Sequence, residues 1–110
     1  MNLSIASTES PIKCEGKTIW IQEGKSKEIG ATTAIIHSSH KIVVDAEFGN
    51  RHFVTHLKSN DGVVFIADSD QSDWKGQAQG KLYSNEKGHL LFGMWIQDGR
   101  EYLWIVELKL

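Results

Sequence analysis

The chain has 110 residues, a net charge of −2 and one cysteine, Cys14. That length supports one domain with a core of its own, while the charge offers no basic field for nucleic acid or an anionic membrane surface. A lone cysteine excludes an intrachain disulfide framework and a cysteine-rich zinc site, and with no signal-peptide pattern or long apolar run it points to a cytoplasmic protein that does not enter a membrane.

Residues 1–16 read as a polar arm carrying the only proline, Pro11, and 17–110 as a single β-domain. Lys17 to Gln22 is the first strand expectation. Glu23 to Gly30 is a charged loop between Gly24 and Gly30. Ala31 to His37 and Lys41 to Phe48 are β-branched runs separated by Ser38-Ser39-His40. Gly49-Asn50 turns into Arg51 to Lys58, and Asn60-Asp61-Gly62 turns into Val63 to Asp68.

If Gly49-Asn50 is a two-residue loop, Ala46 faces Phe53, Val44 faces Thr55, Glu47 faces His52 and Asp45 faces Val54. A two-residue loop at Asn60-Asp61 sets Leu57 against Val64 and Thr55 against Ile66. One face then collects Ile42, Val44, Ala46, Phe48, Phe53, Leu57, Val64 and Ile66, and charge collects on the other.

Asp68 to Asp73 is an acidic loop. Trp74 to Leu82 alternates, with Trp74, Gly76, Ala78, Gly80 and Leu82 on one side and Lys75, Gln77, Gln79 and Lys81 on the other. Ser84 to Gly88 is a turn. The last stretch, Gly88 to Leu110, contains the strongest hairpin signal, Asp98-Gly99 between two β-rich runs. Its register opposes Gln97 to Arg100, Trp95 to Tyr102, Gly93 to Trp104 and Leu91 to Val106. The ring of Trp104 is expected to cover the bare Gly93. Both faces of this hairpin are apolar, so each needs a cover.

About eight strands joined by short connections predict an all-β antiparallel meander, closed into a small up-and-down barrel. Trp20 on the first strand, with Trp74-Lys75-Gly76-Gln77, Leu91-Phe92-Gly93-Met94-Trp95 and Tyr102 to Leu108, resembles small barrels of the calycin type, avidin-like ones above all. The calycin signature sets a glycine two residues before the tryptophan. Here Gly16 stands four before Trp20, and no biotin-binding polar set is in place. The resemblance implies a barrel whose open end holds a small apolar ligand, and frequent oligomerisation.

The candidate ligand-binding residues are Trp74, Gly76, Ala78, Gly80, Trp95, Tyr102 and Trp104. The small residues leave space inside a barrel mouth, unless the large rings fill it. Leu90, Phe92, Met94, Ile96, Leu103 and Ile105 share the face away from the core and form a candidate homo-oligomer interface, a dimer being the simplest case.

No cofactor or metal is expected. Asp68, Asp70 and Asp73 begin like a calcium loop, but Asp73 and Gln79 stand where that loop needs glycine and glutamate. His37 and His40 could approach across their turn. His52 and His56 share a strand face about 13 Å apart, too far for one ion. His89 stands alone, and Cys14 has no histidine beside it. The residues supply no catalytic constellation, so a non-enzymatic binding protein for a small, mostly apolar ligand is the leading expectation. The rivals are an interaction module with a filled barrel that uses the outer wall of the last hairpin, and an enzyme with its site in the mouth.

Overall fold

The computed structural model describes residues 11–68, 70 and 72–109. Eight strands follow one another as a meander: β1 (Ile12–Ile21), β2 (Glu28–Ser38), β3 (Lys41–Phe48), β4 (Arg51–Lys58), β5 (Val64–Ala67), β6 (Gln77–Asn85), β7 (Gly88–Gln97) and β8 (Arg100–Lys109). Every neighbouring pair is antiparallel, and β1 pairs with β8 from Glu15↔Lys109 to Ile21↔Leu103, which closes the barrel. Closure gives β1 and β8 partners on both sides, so the sheet has no terminal edge strand. Among the described residues there is no helix, and hence none long and apolar enough to cross a membrane.

The two-residue turns place the hairpin partners as expected. Gln97↔Arg100, Trp95↔Tyr102, Gly93↔Trp104 and Leu91↔Val106 pair across Asp98-Gly99, whose φ values of 55° and 76° are those of the turn type that matches strand twist. Ala46↔Phe53, Val44↔Thr55, Glu47↔His52 and Asp45↔Val54 pair across Gly49-Asn50.

Four boundaries differ. The first strand begins at Ile12, not Lys17, so 12–16 of the expected arm pair with β2, while 1–10 lie outside the described residues. The second strand begins at Glu28, not Ala31, so Glu28, Ile29 and Gly30 of the expected loop pair with β1. The sixth strand starts at Gln77 and runs to Asn85, which reduces its turn into β7 to Glu86-Lys87. The fifth strand is only Val64–Ala67 and has the opposite parity: Phe65 is fully buried, whereas Ile66 is 54% exposed. Its partners are Leu57↔Ala67 and Lys58↔Ile66, not Leu57 with Val64 or Thr55 with Ile66.

The cause of the flipped parity lies in the connection. Ser59–Val63 is not a two-residue turn. The Asp61 carboxylate accepts hydrogen bonds from the Val63 and Val64 amides and from Ser59 Oγ, while Ser59 Oγ accepts from the Gly62 amide. Those amides hold the Asp61 carboxyl below the ordinary carboxylate range. The longer loop shifts the strand by an odd number of residues, which exchanges its two faces.

β5 is too short to cover the open side of β4. The loop after it completes the ladder: the Asp68 and Asp73 amides donate to the His56 and Val54 carbonyls, and Asp73 Oδ1 and Ser72 Oγ accept from the Val54 and His56 amides. The acidic loop thus serves as a strand substitute, with acceptors of Asp73 and Ser72 spent on the β4 backbone.

Phe65→Ala should destabilise the protein by about 3–5 kcal/mol, as deletion of a buried phenylalanine does. Ile66→Lys should stay within about 0.5 kcal/mol of wild type. Urea denaturation of the two variants checks this, and the reverse order would restore the shorter turn.

Candidate functional site

The interior is organised around rings. Trp74 and Trp95 stack at 3.8 Å between centroids, Trp95 lies 5.7 Å from Trp104 and 5.8 Å from Trp20, and Phe53 sits edge-on to both Trp20 and Trp95. Trp74 Nε1 donates to Thr55 Oγ1 at 2.7 Å, which ties the loop before β6 to β4 inside the barrel. Trp104 is fully buried, and its ring reaches Gly80 on β6, where an added Cβ would stand 3.4 Å from the indole. Glycine at 80 is therefore the floor on which Trp104 lies. Deeper, Thr18 and Thr32 share a hydrogen bond of 2.7 Å, so these buried hydroxyls are partnered.

Gly93 has a different constraint from the one its register suggests. Trp104 does pair with it, but a Cβ there would come within 1.8 Å of the Gln79 carbonyl oxygen. Main chain cannot yield as a ring can. Gly16, Gly76 and Gly88 likewise bring an added Cβ within 2.0 Å or less of a neighbouring strand's carbonyl. They mark places where a neighbouring main chain approaches too closely for a side chain. Gly93→Val should therefore cost about 3 kcal/mol or more, the upper end for overpacking. Thermal unfolding measures it, and a neutral result would contradict the close approach.

The structure separates the candidate ligand residues into depths. Trp95 and Tyr102 border the barrel mouth together with Trp20, Phe48 and Phe53, and Glu28 and Arg100 stand at its rim. Trp74 is stacked behind Trp95, Ala78 is buried, and Gly80 and Trp104 lie below. Gly76, just before β6, backs the Trp74 ring: a Cβ there would stand 2.8 Å from the indole. The mouth recess is about 190 Å³. Trp20, Phe48 and Phe53 are mouth residues the sequence did not bring together, because the β1–β4 turns that converge there are distant in sequence from β7–β8.

On the outside, rows of side chains cross several strands. Ile29, Ile19, Ile105 and Phe92 stand side by side on β2, β1, β8 and β7, and Ile21, Leu103 and Met94 form the next row. Leu90 and Ile96 extend them at the two ends of β7. Phe92 is 43% and Met94 41% exposed, and Ile19, Ile21, Leu103 and Ile105 are half-buried. The six candidate interface residues thus share one wall. Sequence reasoning missed Ile19, Ile21 and Ile29, since only closure of β1 on β8 sets them beside the hairpin. No charged side chain interrupts these two rows. Lys17 and Glu107 pair at 3.5 Å on one border and Lys81 stands on another. A groove of about 400 Å³ between Ile66, Gln79, Met94 and Ile96 continues the wall onto β5 and β6.

The opposite wall is charged. His52 Nδ1 meets Asp45 Oδ1 at 2.8 Å, with Glu47 3.9 Å from Nε2. The hydrogen bond to Asp45, with its charge, raises the His52 pKa above 6.5. The other histidines do not converge: His40 Nδ1 bonds the Ser59 carbonyl and His89 Nδ1 bonds Ser84 Oγ. Among the described residues no His, Cys, Asp and Glu cluster could hold a metal ion. Burial pushes the Cys14 thiol up, away from the reactive thiolate. Ser84 Oγ and His89 Nδ1 lie at 2.7 Å, beside a recess of about 770 Å³ that Lys17, Tyr83, Glu107 and Lys109 also line. No known protein family, curated protein or solved structure matches the chain.

Because the His52 pKa is raised in the folded state, this contact adds stability below the unfolded value and loses it as pH rises through the folded one. Asp45→Asn should bring the His52 pKa down toward 6.5, with Glu47 and Asp73 still raising it slightly. Titration of the His52 ring protons by NMR reads the shift.

Proposed function

We propose that this barrel is a non-enzymatic interaction module whose recognition surface is the apolar outer wall of β1, β8 and β7. The observation that carries this reading is the filled interior. Trp74, Trp95 and Trp104 occupy the space beside Ala78 and Gly80, and Trp104 is fully buried. The remaining mouth recess, about 190 Å³, is below the ~300–1,000 Å³ usual for a small-molecule pocket. The outer groove at Ile66 and Met94 is about twice as large. A contiguous apolar wall of this kind on a small domain marks a contact surface.

A ligand in the mouth is the second reading. It is supported by the aromatic lining, Trp20, Phe53, Trp95 and Tyr102, which suits a small apolar group and agrees with the calycin and avidin resemblance. Such a ligand would contain only a few heavy atoms. An enzymatic reading has no comparable support.

Trp20 and Trp95 report on the mouth by fluorescence. Titration with small alcohols, indole and short fatty acids should give no saturable change. Saturable quenching that Tyr102→Ala removes would transfer the function to the mouth and refute the wall reading.

A further inference from the structure

We propose that the barrel mouth is an aromatic cage for a quaternary ammonium head group, the chemistry shared by choline-type cations and trimethylated lysine. The site is separate from the outer wall, and the inference does not rest on the wall reading.

Five rings border the mouth recess of about 190 Å³: Trp20, Phe48, Phe53, Trp95 and Tyr102. Trp20, Phe53 and Trp95 stand pairwise edge-on, 5.8–6.2 Å apart at 61–83°. Phe48 meets Trp20 edge-on at 6.0 Å. Planes this steep to one another set π surface around the recess from several directions, and such surface attracts a cation centred within about 6 Å of a ring. Trp95 Nε1 donates to Gln97 Oε1 at 2.9 Å, so the ring, not its N–H, is what Trp95 offers to an occupant. Trp74 stacks on Trp95 at 3.8 Å and fixes its plane. One cation already uses these rings. The Arg51 guanidinium lies 4.8 Å from the Phe53 centroid, and Arg51 does not line the recess, so the recess stays open.

Size and charge select the class of ligand. The recess is smaller than the ~300–1,000 Å³ of a pocket for a drug-sized molecule, so it takes a compact group. Glu28 and Asp98 stand at the rim, and Arg100 is the one basic residue among those lining it. Among the described residues neither carboxylate is in an ion pair, so both are available to a cation. A primary ammonium is strongly hydrated and brings N–H donors that a wall of rings leaves short of acceptors. A quaternary ammonium has no N–H. Its methyl groups pack on the rings while its charge faces them and the rim carboxylates.

The test titrates the full chain with choline chloride and follows tryptophan fluorescence, with ionic strength held constant by sodium chloride. Choline should give a saturable change. Dimethylbutanol, in which carbon replaces the choline nitrogen, should give none. Nε-trimethyllysine should saturate the signal and unmethylated lysine should not, and the tighter of the two methylated probes identifies the source of the head group. Phe48→Leu and Tyr102→Leu keep apolar bulk but remove a π face, and each should weaken choline binding by about three- to tenfold. Glu28→Gln should weaken it and Arg100→Gln strengthen it. Phe48, Glu28 and Arg100 are exposed, so these variants should keep the wild-type circular dichroism even if Tyr102→Leu does not. Absence of a saturable change at high millimolar choline overturns the inference, and so does choline binding that the folded variants leave unchanged. Equal binding of dimethylbutanol overturns it as well. Only that last outcome also counts against the wall reading, because it would make the mouth a site for a neutral apolar ligand.

Discussion

The stack of Trp74 on Trp95, with Trp104 spread over Gly80, decides what kind of barrel this is. A chain of this length builds eight strands of modest size, and an eight-stranded barrel has an interior that side chains can just fill. Large rings fill it only where the facing positions are small. Ala78 and Gly80 on β6 supply those positions, so apparent vacancy on one strand is the counterpart of indole volume on two others. Trp74 does a second task. It precedes β6, where β5 has already ended, and its indole hydrogen-bonds Thr55 on β4. One side chain therefore closes the seam from within and completes the aromatic plug.

That seam also assigns the acidic loop. A sheet whose fifth strand has four residues must satisfy the β4 main chain by other means. Asp73 and Ser72 lend side-chain acceptors, and Asp68 pairs with Lys58 at 2.9 Å, which holds its carboxyl below the ordinary range. Carboxylates engaged in this way are structural, and their resemblance to the start of a calcium loop has a backbone explanation.

Legibility in the sequence followed the length of the turn. Gly49-Asn50 and Asp98-Gly99 fix parity within two residues, and every pair drawn across them holds. Asn60-Asp61-Gly62 carries equally strong turn residues, yet Ser59 and Asp61 knit a longer loop, and one unforeseen side-chain network exchanged Phe65 for Ile66 in the core. The eight-stranded meander and its closure followed from strand count and spacing, but the register of β1 on β8 did not, because no turn connects the two. For that reason half of the apolar wall was legible, Leu90 to Ile105, and Ile19, Ile21 and Ile29 were not. Glycines carried a similar ambiguity. A bare position in a strand signals either room for a ring or contact with main chain, and alternation alone cannot separate Gly80 from Gly93.

The outer surface of the barrel is divided, and the division bears on function. Strands β3 and β4 face outward with Asp45, Glu47, His52 and Lys58, alongside Val43 and Val54, and His52 lies against both Asp45 and Glu47. Strands β1, β8 and β7 set isoleucine, leucine, phenylalanine and methionine at their central outward positions, between Lys17 and Glu107 at one end and Glu101 at the other. Barrel geometry thus accepts either kind of residue outside, and closure does not require the apolar choice. Inside, the tryptophans complete the core without any help from this wall. Leaving it wet forfeits about 1.5–3 kcal/mol for each large side chain that a partner could cover. The apolar choice on this wall is therefore not required by folding, and it is the feature on which the proposed interaction role rests.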